Sequence, residues 1–91
     1  MFEIGQMLCL TKQAIKRGKR YAIAAWEWKK SGLDFFSGNV PKDSNNYESW
    51  FEHLCKSAGY CLEIDGEWVK IQYMHLDTPF WIKCSNLEIC K

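Results

Sequence analysis

The chain has only two prolines and two histidines among its 91 residues, and the excess of positive charge amounts to a single unit. With so little net charge, no overall field draws the molecule to nucleic acid or to a membrane surface. Two histidines leave little material for imidazole-based catalysis or metal ligation. The longest apolar stretch, Tyr21–Trp26, falls far short of the length needed to span a bilayer. The amino-terminal Met1-Phe2-Glu3 has neither the positive flank nor the apolar run of a secretory signal, so the chain reads as unprocessed and cytoplasmic. No internal repeat or low-complexity tract is present.

Other motifs are missing as well. Cys9, Cys55, Cys61, Cys84 and Cys90 make an odd count at irregular spacing, which is a poor disulfide framework and suits a reducing compartment. No pair shows the short spacing of a zinc knuckle, and the interval from Cys84 to Cys90 is too wide for one. The cysteines therefore read as small buried apolar residues, with Cys90 an exposed thiol near the end. Neither His53 nor His75 lies beside a nucleophile-elbow motif. The carboxylates Glu63, Asp65 and Glu67 read as solvating groups at a turn, and Gly18-Lys19-Arg20 lacks the rest of a phosphate loop. The reading is a non-enzyme without metal or cofactor.

Aromatic content is high: five Trp, four Tyr and five Phe bring enough apolar area for one small domain, residues 1–91. The charge is also unevenly spread. Residues 1–45 carry eight basic and four acidic groups, and residues 46–91 carry four basic and seven acidic. Five of the basic groups, Lys12, Lys16, Arg17, Lys19 and Arg20, fall within nine residues.

Periodicity predicts the elements. Phe2–Leu10 reads as a strand with Gly5 as a bulge, placing Leu8 and Leu10 on one face and Met7 and Cys9 on the other. Thr11 is the predicted N-cap of a basic helix. Gly18 either ends that helix, making Lys19–Trp28 a strand, or lies inside a helix running on to Lys30; the strand reading is slightly ahead. Leu33–Phe36 suggests a short strand, followed by a loop over Ser37–Asn46. A second helix, capped by Ser44 or Asn46, carries Trp50, Phe51, Leu54 and Cys55 at helical spacing and stops at Gly59. Tyr60–Ile64 and Glu67–Tyr73 form the predicted hairpin about Asp65-Gly66. A two-residue loop there sets Ile64 against Glu67, Leu62 against Val69 and Tyr60 against Ile71. Tyr60, Leu62, Val69 and Ile71 then face the core, while Trp68 and Lys70 face away. Phe80–Lys83, a short 3₁₀ turn at Ser85-Asn86-Leu87 and Glu88-Ile89 complete an α+β domain with a small antiparallel sheet.

The run Gly66-Glu67-Trp68-Val69-Lys70-Ile71-Gln72-Tyr73, with Phe80-Trp81-Ile82 and Ser85-Asn86-Leu87-Glu88-Ile89, resembles the closing strands of an SH3-like barrel. Phe2–Leu10 resembles the first strand of KOW-type and bacterial SH3-type barrels. The resemblance covers roughly half the chain and implies a partly open barrel, in which the two predicted helices depart from the pattern and would be insertions packed on it; it implies no activity. A shorter stretch, Ala14–Ala22 with Trp26 following, is similar to the opening of a phage Thoeris anti-defence family that sequesters signalling nucleotides, with Glu27-Trp28 where that family has asparagine-glycine.

The functional expectation is an interaction protein, an inhibitor or adaptor of phage or mobile-element type, that binds a host protein. Its contact residues are Lys12, Lys16, Arg17, Lys19, Arg20, Trp28, Trp68 and Lys70, because exposed tryptophan beside a cation is hot-spot composition. The alternatives are nucleic-acid binding through the Lys12–Arg20 cluster and the capture of a small ligand or nucleotide.

Overall fold

The structure, a computed structural model, describes residues 2–20, 36–37, 44–74 and 76–90. Strand β1 (Met7–Leu10) leads into helix α1 (Lys12–Arg20); β2 (Phe36–Ser37) and helix α2 (Ser44–Lys56) follow. The chain then runs through β3 (Gly59–Asp65), β4 (Trp68–Tyr73), β5 (Phe80–Lys83), a 3₁₀ turn (Cys84–Asn86) and β6 (Leu87–Ile89). The strands form one antiparallel sheet in the order β2-β5-β4-β3-β1-β6. Among the described residues, β2, only two residues long, and β6 stand at its edges, so the described strands do not close into a barrel.

Both helices bury their apolar stripes on one face of this sheet. Ala14, Phe51 and Leu54 join Leu8, Leu10, Val69, Ile71, Tyr73, Phe80 and Ile82 in a single core. At one end of the core Trp50 meets the rings of Phe36 and Phe80, each with centroids 5.0 Å apart, and Tyr73 stacks on Phe80 at 5.6 Å.

Thr11 caps α1 as its sequence suggests: its Oγ1 accepts the Ala14 N–H at 3.1 Å. The helix does not end at Gly18, however. Gly18 lies inside it, and Lys19 and Arg20 are helical rather than the start of a strand. The reason is packing, since a Cβ on Gly18 would stand 1.9 Å from Cζ of Phe51. Glycine here lets α1 settle directly against the Phe51 ring. The rest of the helix-or-strand question, 21–30, lies outside the described residues, as do 33–35 of the short strand.

Four other expectations are corrected. Gly5 is no bulge within a long first strand: at φ +87° it turns the chain ahead of β1, and Gln6 N–H bonds the Glu3 carbonyl. Ser37 is in a strand and α2 starts at Ser44, so neither end of the expected Ser37–Asn46 loop holds and Asn46 lies inside the helix. Gly59 is no helix stop but the first residue of β3, where a Cβ would approach Ile71 Cγ2 to 2.2 Å.

The hairpin register also differs. Asp65 pairs with Trp68 and Ile64 with Val69, leaving Gly66-Glu67 as the two-residue loop. Gly66 has φ +60° and no non-glycine residue among those described has positive φ, the pattern of a type II′ turn with glycine first. A type I′ turn would have forced a positive φ on Asp65, and the structure avoids it. A bulge between Cys61 and Glu63 then shifts the register again, so that Cys61 pairs with Ile71 and Tyr60 with Gln72. Cys61 is therefore buried, whereas Tyr60 and Leu62 are 42% and 44% exposed, not core residues. Val69 and Ile71 are buried as expected.

Candidate functional site

The face of the sheet turned away from the helices carries the most distinctive side chains. Along β4, Val69, Ile71 and Tyr73 enter the core, so Trp68, Lys70 and Gln72 take the other face. Along β5, Phe80 and Ile82 enter the core and leave Trp81 and Lys83 outside. Each strand thus bears the same tripeptide pattern, Trp68-Val69-Lys70 and Trp81-Ile82-Lys83. Antiparallel pairing reverses one pattern against the other and sets Trp68 opposite Lys83 and Lys70 opposite Trp81.

Each ammonium lies over the indole across from it. Lys83 Nζ is 5.8 Å from the Trp68 ring centroid, and Lys70 Nζ is 5.9 Å from that of Trp81. Contacts of this kind contribute about 0.5–1 kcal/mol at partly exposed sites. More important here, they hold four long side chains in one array before any partner arrives.

β3 extends this face with acid. Glu63 is paired with Lys70 and Asp65 with Trp68. Glu67 Oε2 stands 3.9 Å from Lys83 Nζ. Tyr60, opposite Gln72, continues the aromatic surface. The face therefore alternates indole and ammonium at its centre and carries carboxylates along the hairpin. Such a mixture is poorly suited to a phosphate backbone.

The contact residues expected from sequence do not lie on one surface. Lys12, Lys16 and Arg17 are exposed on α1, which packs on the helix-covered face, whereas Trp68 and Lys70 are half-buried on the opposite one. Arg17 is further committed: its guanidinium bonds the side-chain carbonyl of the buried Asn86. Lys19 and Arg20 continue the same helix, and Trp28 lies outside the described residues. Trp81 and Lys83 were missed by reading residues singly. The signal that finds them is the Trp-apolar-Lys pattern recurring on two neighbouring strands.

Two of the thiols, Cys61 and Cys90, are raised by burial. Burial pushes the Cys61 thiol above its ordinary value, against a weaker opposing hydrogen bond at Glu63. Cys90 is half-buried rather than exposed, and burial together with a side-chain hydrogen bond to Cys9 pushes its thiol up to about 12. Thiols raised in this way are poor nucleophiles at neutral pH. Among the described residues, no group of three or more His, Cys, Asp or Glu is placed to hold a metal ion, and no helix is long and apolar enough to cross a membrane. His53 is exposed on α2, and His75 lies outside the described residues. Comparison of the chain with protein-family models, curated proteins and solved structures finds no match in any of the three.

Proposed function

We propose that the chain is a non-catalytic interaction module that binds another protein through the outer face of β4 and β5. The observation that carries the reading is the crossed array of Trp68, Lys70, Trp81 and Lys83. Two indoles in a fixed arrangement offer large contact area at low ordering cost, the composition of an interface hot spot. The carboxylates of Glu63, Asp65 and Glu67 favour a partner whose own charges are mixed, and weigh against phosphate.

A chain of this size acting by binding alone suits an inhibitor or adaptor of phage or mobile-element type, working in the cytoplasm. Its odd count of five cysteines at irregular spacing suits a reducing compartment. The SH3-like reading is supported by the meander β3-β4-β5 and by the 3₁₀ turn at Cys84–Asn86 leading into Leu87-Glu88. Nucleic-acid binding is the second reading, and it rests on the exposed Lys12 and Lys16 of α1.

A tagged chain tests both. The first reading predicts a stoichiometric protein partner that is retained by the parent chain and lost with Trp68→Ala combined with Trp81→Ala. A folded double variant that retains the partner undiminished removes this face from consideration. The second predicts a mobility shift at low salt that Lys12→Glu with Lys16→Glu abolishes.

A further inference from the structure

Away from the Trp/Lys array, an apolar pocket of about 240 Å³ opens where the hairpin tip meets the 3₁₀ turn, lined by Phe2, Ile64, Gly66, Val69, Cys84 and Ser85. Its walls are tied together, because the Cys84 N–H donates to the Glu67 carbonyl at 2.8 Å and so locks the turn onto the hairpin. Gly66 contributes no side chain, and its positive φ disfavours one.

We infer that this pocket is a binding site for a small uncharged aromatic molecule of two fused rings, and we use indole as its probe. Three properties of the walls carry the inference. The first is size: an enclosed apolar cavity of about 150 Å³ accommodates benzene, so the larger pocket takes the next ring system up. The second is charge. None of the six lining residues carries an acidic or basic side chain, so a charged ligand loses its hydration there without compensation. The third is chemistry, since Phe2 offers edge-to-face packing and Cys84 a sulfur–aromatic contact. The Ser85 hydroxyl is an acceptor for a single ring N–H. The pocket is independent of the proposed protein-binding face, and either can stand without the other.

Titration of the isotope-labelled chain with indole, followed by two-dimensional NMR, tests the site. The expected result is saturable shifts centred on Phe2, Ile64, Val69, Cys84 and Ser85, with a dissociation constant of about 1 mM or below. Indole-3-acetate, with the same rings and a carboxylate, is expected to bind at least about tenfold more weakly, the factor set by desolvating its charge. Ser85→Trp, at an exposed position on the rim, is expected to weaken indole about tenfold or more while leaving the remaining spectrum unchanged; Cys84→Leu, which narrows the wall from inside, gives an independent second variant. The inference is overturned if no shift saturates, if the two probes bind equally, or if the shifts centre on Trp68 and Trp81 and survive Ser85→Trp.

Discussion

The guanidinium of Arg17 donates to the side-chain carbonyl of Asn86, joining α1 to the 3₁₀ turn across 69 positions of chain. The backbone carbonyl of the same asparagine accepts the Thr11 N–H at 3.0 Å, so one buried residue holds both the start and the middle of the helix. Arg17→Ala leaves the buried Asn86 side-chain carbonyl unpaired and is therefore expected to cost about 1–3 kcal/mol. Asn86→Ala should cost less, about 0.5–1.5 kcal/mol, because the exposed guanidinium returns to water and the backbone carbonyl keeps its bond to Thr11. Urea unfolding with unchanged slopes checks both values. Equal, negligible losses would make Arg17 a solvated surface cation after all.

Gly18→Ala ought to stabilise an exposed helix by about 1 kcal/mol on propensity alone. Here the new methyl would collide with Phe51, and the expected outcome is a net loss of about 1–3 kcal/mol. Adding Phe51→Leu should recover part of that loss in a double-mutant cycle. A stabilised Gly18→Ala protein would show that α1 does not rest on Phe51.

Tyr73 is 1% exposed, and its buried hydroxyl has no hydrogen-bond partner among the described residues. Deleting an unpaired buried polar group removes a desolvation cost and leaves the ring in place. Tyr73→Phe should be neutral or more stable by up to about 1–2 kcal/mol. A loss larger than about 1 kcal/mol, by the same urea assay, would mean that the hydroxyl does find a partner.

Alkaline pH should destabilise the fold. Burial raises the phenol of Tyr73 and the thiols of Cys61 and Cys90 above their unfolded values. Each group favours folding fully below its unfolded pKa, because both states are then protonated. As pH rises further the unfolded chain releases its proton first, and the stabilisation is lost as pH climbs through the folded value. For Cys90 that window runs from about 9 to about 12. Thermal unfolding should accordingly show a falling midpoint above pH 9, and Tyr73→Phe together with Cys90→Ser should flatten the fall.

The crossed pairs on the outer face make an energetic prediction of their own. A double-mutant cycle with Lys70→Met and Trp81→Leu is expected to return a coupling of about 0.5–1 kcal/mol. Zero coupling would mean that the ammonium does not dwell over the indole in solution.

Local chemistry made much of this fold legible. Thr11 announced its helix because a hydroxyl ahead of a helical run has few better uses. Val69 and Ile71 marked the core face of β4 because alternation in a half-buried strand admits one solution. What stayed hidden depended on partners distant in the chain. Gly18 looked like a helix stop until Phe51 was placed against it. The bulge at Leu62 left no local mark, yet it moved Tyr60 and Leu62 outward and Cys61 inward. The site was half legible for a similar reason. Trp68 and Lys70 could be picked out on one strand, but the array exists only once β5 runs antiparallel beside it.

The sheet order has a kinetic consequence. β1 and β6 pair Leu8 with Ile89, so the ladder that joins them must close a loop of almost the whole chain, whereas Trp68 meets Lys83 within a short meander. Loop-closure entropy favours the early meander and delays the long-range ladder. Folding should therefore assemble the Trp/Lys face first and draw the first and last strands together afterwards. Amide exchange should report the β1–β6 ladder as the earliest part of the sheet to open.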